Sequence, residues 1–141
     1  MRPRYETEGD RRNESVIAGK VQSAWNCTLH KTPYKCAYDF VSEVGGKLTS
    51  LIEIKQRSND FLKYDTYMIS ADKIIQCTNA SDVLGVPFYL VVQFTDSLMF
   101  WEHKKQKLDV RLGGRKDRGD SQDVEPVIHI DTWDFYEVRG S

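Results

Sequence analysis

Three residues, Asp39, Glu53 and Lys55, are of types that acid–base and metal-assisted chemistry require. Glu53 and Lys55 sit in Leu51-Ile52-Glu53-Ile54-Lys55, which reads as a strand. Side chains alternate along a strand, so Glu53 and Lys55 share one face while Ile52 and Ile54 share the other. Fourteen positions before Glu53, Asp39 lies in Lys35–Val41, a second strand-like run, with Ser42–Lys47 between them as a hairpin turn. Whether the two acids can meet is a matter of register. A two-residue turn at Gly45-Gly46 sets Asp39 opposite Ile52 and turns the acids to opposite faces. A three-residue loop centred on Gly46, or a bulge in either strand, sets Asp39 opposite Glu53. The pair of glycines supplies the permissive backbone for either device.

The elements that must hold this hairpin are readable on both sides of it. From Thr7 to about Trp25, Glu14, Ile17, Ala18, Val21 and Trp25 fall on one helical stripe. Glu14 heads that stripe, and either turns out to water at its rim or leans over the sheet toward Asp39 and Glu53. Asn26–Pro33 reads as a connector, since Pro33 bars helix continuation. Phe61–Ile69 is rich in aromatic and β-branched residues and is either a short strand or an ordered loop. Ser70 is an N-cap for a second helix with Asp72 in its first turn. Ile74, Ile75, Cys77, Thr78 and Val83 form its expected apolar side, and Gly85 and Pro87 end it. Phe88–Phe94 is an apolar run suited to a strand covered on both faces, followed by an antiparallel partner at Leu98–Glu102. Val127–Asp131 closes as a strand, with Trp133, Phe135 and Tyr136 capping the core.

At 141 residues, with 40% hydrophobic and 29% charged content, the chain is expected to form one globular domain over 1–141. Residues 1–8 read as a flexible arm and 113–124 as a flexible basic and polar loop. No apolar run has the length of a membrane span, and the N-terminal residues lack a signal-peptide core. The three cysteines, Cys27, Cys36 and Cys77, suit free thiols in a reducing compartment, so a cytoplasmic protein is expected. Cys27, His30 and Cys36 lack a fourth ligand for zinc, and no Ser or Cys is set against a His for a nucleophilic triad. Net charge is −1, but seven basic residues against Asp109 and Asp117 crowd the segment from His103 to Arg118. Lys104, Lys105, Lys107, Arg111, Arg115 and Lys116 there either follow a phosphate backbone or keep a hairpin soluble.

The pattern of Asp39 on one strand and Glu53-Ile54-Lys55 on its partner resembles the PD-(D/E)XK, or restriction-endonuclease-like, nuclease superfamily. Its first motif is reduced here to Tyr38-Asp39, with no proline before the acid; its second is matched in full. The order helix, hairpin, helix, strand, strand over roughly residues 10–100 is similar to its core. The resemblance implies an α/β fold in which a central mixed sheet is flanked by helices. It also implies a metal-dependent DNA nuclease, an endodeoxyribonuclease in kind. Small single-domain members include Holliday-junction resolvases that work as dimers, and phage nucleases, so junction or branched DNA in recombination, repair or phage DNA processing is an expected substrate. A phage-encoded protein would act in the host cytoplasm.

By that resemblance Asp39, Glu53 and the Ile54 carbonyl take Mg²⁺ or Mn²⁺, a set of hard oxygen donors. Lys55 holds or deprotonates the attacking water and offsets charge on the phosphate. Glu14 holds a second metal or orients Lys55. Lys73 and Gln76, on the second helix, contact the scissile strand or are merely solvated. Two other functions fit the same residues: a nucleic-acid-binding or assembly protein that keeps the fold without cutting, and a ligand-binding α/β domain with no metal site at Asp39 and Glu53.

Overall fold

The computed structural model describes residues 8–33, 36–103, 109–114 and 124–139. Its elements run α1 (Glu8–Trp25), β1 (Thr28–Lys31), β2 (Phe40–Val44), β3 (Lys47–Gln56), β4 (Thr66–Ser70), α2 (Ala71–Leu84), β5 (Phe88–Gln93), β6 (Leu98–Glu102), β7 (Asp109–Gly114), β8 (Val124–Asp131) and β9 (Tyr136–Glu137). Six strands make the main sheet in the order β1-β2-β3-β5-β6-β9, and β4-β8-β7 make a second, smaller one. The main sheet is mixed, because β3 pairs antiparallel with β2 but parallel with β5. A parallel pair needs a crossover, and α2 lies within the segment that supplies it.

β3 is central, and its two faces feed two cores. Ile52 and Ile54 meet Phe40, Val91 and the α1 residues Ile17, Ala18 and Val21. Leu51 points the other way, into a larger core of Leu90, Val92 and Trp101 with Ile74 and Cys77 of α2 and Ile69, Ile128 and Ile130 of the small sheet. Helices therefore flank the main sheet as expected, with the small sheet sharing the α2 side. α2 ends at Gly85, whose φ of 69° lets its N–H reach Ser81 O at 2.9 Å.

Several local expectations change. Asn26–Pro33 is not only connector: β1 forms there as an exposed edge strand, paired with the next strand β2, and its burial shows no alternating pattern. β2 starts at Phe40, so Cys36–Asp39 of the expected strand lie before it, while Lys35 lies outside the described residues. Phe61–Ile69 contains a 3₁₀ turn (Phe61–Lys63) and most of β4. Ser70 precedes α2 but makes no side-chain capping bond. Ile75 and Val83 are exposed, since the buried stripe of α2 is Ala71, Ile74, Cys77, Thr78 and Ser81. Of the three aromatics expected to cap the core only Phe135 is buried; Trp133 is 91% exposed and Tyr136 lies outside too. Gly113, Gly114 and Val124 are paired strand residues, not loop. Lys104, Lys105, Lys107, Arg115 and Lys116 lie outside the described residues, as do residues 1–7 and 115–123.

Candidate active site

The β2–β3 hairpin combines both of the features that register arithmetic set against each other. Its turn is the tight one, Gly45-Gly46, with φ of 60° and 82°. Val44 pairs with Lys47 and Glu43 with Leu48, but then Ser42 pairs with Ser50, leaving Thr49 as an extra residue. This β-bulge shifts the register by one, so Val41 faces Leu51 and Phe40 faces Ile52. Continued one step, the shifted register sets Asp39 against Glu53. Hydroxyls stitch the bulge: Ser42 Oγ lies 2.6 Å from Thr49 Oγ1 and also bonds Ser50 Oγ. At the turn, Glu43 Oε2 accepts the Gly46 N–H at 3.0 Å. That bond, and then the His30 imidazole, hold the Glu43 carboxyl below its ordinary range.

Asp39 is fastened from three directions. Its N–H donates to Ile52 O at 3.0 Å, and its own carbonyl accepts the Thr32 N–H and hydroxyl, each at 2.9 Å. Its side-chain Oδ2 accepts the Ile54 N–H at 3.0 Å. Within a strand the N–H and C=O of one residue leave the same edge. The Ile54 carbonyl is therefore directed toward the edge where Asp39 lies, beyond the last β2 pair.

Glu53 is 1% exposed, in the middle of the sheet. Its Oε2 lies 3.6 Å from Lys55 Nζ and 3.3 Å from Lys73 Nζ, while its Oε1 is buried with no hydrogen-bond partner. Burial first, and then the charge of Asp39, push the Glu53 carboxyl up to about 7 against the opposing pull of Lys73 and Lys55. A carboxylate held in this way lacks positive charge on one side. The donors fit a hard divalent cation: two carboxylates, one of them with its buried Oε1 still without a partner, and a strand-edge carbonyl. Among the described residues no three His, Cys, Asp or Glu side chains converge as a metal cluster, so a cation here would rest on the two acids and the carbonyl with water.

Glu14 lines the same cleft, of about 300 Å³, as Asp39, Glu53, Ile54 and Lys55. It is largely buried and ion-paired with Lys31 of β1, so it leans over the sheet rather than out to water. Lys73 reaches Glu53 from α2. Gln76 does not follow it, being exposed and bonded to Asp72 at 2.9 Å. Arg111 lies on β7, in the small sheet. Three cleft residues were missed in the sequence: Asn13, Gln56 and Arg57. Arg57 was legible, because the alternation that joins Glu53 to Lys55 reaches it at the next step.

A protein-family model described as "Phage putative PDDEXK endonuclease" matches residues 1–138. The chain belongs to this family of endonucleases. Among solved structures it is similar to Archaeoglobus fulgidus Hjc, a Holliday junction resolvase from an archaeal hyperthermophile. The identity is 17%, the TM-score 0.55, and the match covers 90% of this chain and 95% of that one. At that identity the likeness speaks for the fold, which is restriction-endonuclease-like. No curated protein matches the chain. Among the described residues no helix is long and apolar enough to cross a membrane.

Proposed function

We propose that the protein is a metal-dependent endodeoxyribonuclease with its site at Asp39, Glu53, Ile54 and Lys55. The observation that carries this reading is Glu53, a fully buried carboxylate whose Oε1 is unpartnered and whose strand face is shared with Lys55. A buried carboxylate with one oxygen left unpartnered is costly, so a sequence that keeps one in the centre of its sheet does so against stability.

Asp39, Glu53 and the Ile54 carbonyl would hold Mg²⁺ or Mn²⁺. The cation, when bound, supplies Lewis acidity toward a phosphodiester oxygen and acidifies water. Lys55 Nζ, tethered to Glu53, orients the attacking water and offsets the charge that builds on the phosphate. Lys73 fixes Glu53 from the α2 side and thereby holds the carboxylate in place. Glu14, tied to Lys31, adds negative charge to the cleft wall rather than joining the two acids as a third ligand. Arg57, with the basic residues Lys104, Lys105, Lys107, Arg111, Arg115 and Lys116, would carry the phosphate backbone.

The likeness to a Holliday junction resolvase supports branched DNA as substrate. A homodimer would present two clefts to such a substrate. One domain over 1–141, acting in the cytoplasm of a host cell, completes the proposal.

Incubation with labelled duplex, junction, flap and single-stranded DNA and with RNA, in Mg²⁺, Mn²⁺ or EDTA, tests it. Wild type should cut DNA only with metal, branched forms fastest, and Lys55→Ala should not cut. Cleavage in EDTA, undiminished cutting by Lys55→Ala, or no cutting of any form by wild type would each refute it.

A further inference from the structure

A second cavity, of about 500 Å³, adjoins the cleft and shares Arg57 with it. Its walls are aromatic: Tyr64, Tyr67, Phe61 and Phe94 line it. Tyr67 is buried in an edge-on cluster with Phe94 and Phe135, their ring centroids 6.1 and 5.8 Å away. The Arg57 guanidinium lies 4.8 Å from the Tyr67 ring centroid and is half-buried, so its plane is backed by an aromatic on one side. Polar groups stand at another part of the wall. Thr66 Oγ1 bonds His129 Nδ1 at 2.9 Å, which leaves the other ring nitrogen of His129 for a ligand. The cavity wraps β4, an edge strand of the small sheet.

We infer that this cavity takes one unpaired nucleobase of the DNA strand whose phosphate enters the neighbouring cleft. The occupant follows from the lining. A flat π-system stacks on tyrosine rings and on a guanidinium plane, and its edge needs a few donors and acceptors. An ordinary apolar side chain would gain nothing from Arg57 and His129. Because Arg57 borders both cavities, it lies between a base in one and the adjoining phosphate in the other. A base reaches the pocket only when it leaves the stack, which costs least where it is already unpaired. The pocket thus gives a physical means of selecting branched or distorted DNA, and in this it rests on the nuclease reading.

The test measures binding without metal, so that it stands apart from cleavage. The probe is a duplex with a single unpaired 2-aminopurine, set against the fully paired duplex of the same sequence. Wild type should bind the first about tenfold or more tightly, with the probe's fluorescence quenched as it stacks. Tyr64 and Met68 line the cavity and are 59% and 47% exposed, so altering them opens no core. Tyr64→Ala strips a wall and Met68→Trp fills the space; each should bring the ratio close to one with melting temperature unchanged. Equal affinity of wild type for the two duplexes, or an unaltered ratio in both variants, would overturn the pocket. So would tight binding of free deoxyadenosine monophosphate without any preference between duplexes, which would make it a free-nucleotide site. A wild type that shows the preference but never cuts would sink the nuclease reading and leave the pocket standing.

Discussion

The two faces of β3 are built from neighbouring residues on opposite physical terms. Under α1, Ile52 and Ile54 are buried among the apolar side chains of Ile17, Val21, Phe40 and Val91. Each such side chain contributes about 1.5–3 kcal/mol by leaving water. On the other face Glu53 is as buried as Ile52, yet it brings a carboxylate with two lysines on one oxygen and nothing on the other. Both faces hold apolar cores, since Leu51 on the Glu53 side packs with Leu90, Val92 and Ile74. Glu53 alone breaks that side: its carboxylate lowers the stability of the metal-free protein and concentrates charge where the cleft opens. The difference teaches that burial alone does not identify a core position; the partner left missing identifies the site.

The largest separation of the two faces should come from activity. Glu53→Gln and Lys55→Ala are each expected to slow single-turnover DNA cleavage by about a thousandfold or more. Both should fold, with Glu53→Gln melting no lower than wild type, as circular dichroism would show. Ile52→Ala should do the reverse. It loses about 3 kcal/mol in urea unfolding, as a buried isoleucine truncation does. Cleavage per folded molecule should stay within a few-fold. If Ile52→Ala abolishes cleavage while folded, the two faces are not separable.

A third prediction concerns pH. The Glu53 carboxyl, faced by Asp39, Lys55, Lys73, Tyr67 and Cys77, titrates near 7 when folded and near its ordinary 4.5 when unfolded. The native state therefore binds the proton more tightly. As pH rises from about 4.5 to 7 the unfolded chain gives up its proton first, and metal-free stability falls. The loss should approach about 3 kcal/mol and then level off. Glu53→Gln should flatten that slope; an equal slope in the variant would assign it to another group. The smallest expected effect touches neither face. Neutralising Lys104, Lys105 and Lys107 should weaken DNA binding and lower its salt dependence by up to about three ion equivalents, with saturated cleavage little changed.

Much of this was legible in the residues themselves. Strand alternation placed Glu53 and Lys55 together, and counting register across Gly45-Gly46 required either an odd loop or a bulge. Which of the two occurs was not legible, because it depends on Thr49 slipping out of the ladder and on hydroxyl contacts with Ser42. β1 was missed because four edge residues carry no pattern, yet Thr32 just after it clamps Asp39. Lys73 was singled out as a DNA contact, but its approach to Glu53 depends on how α2 crosses the sheet. The small sheet joins β4 to β8 across 57 to 65 positions of sequence, and no local signal reports such pairing.

The central claim is that Asp39 and Glu53 form a cation site on the charged face of β3. Titration of Mn²⁺ into the protein by calorimetry, in buffers of differing ionisation enthalpy near pH 6.5, tests it most directly. Wild type should show saturable binding with release of a proton from Glu53, lost in Glu53→Gln and Asp39→Asn but kept in Ile52→Val. Absence of Mn²⁺ binding to wild type, or binding that survives both acid-to-amide variants, would contradict it.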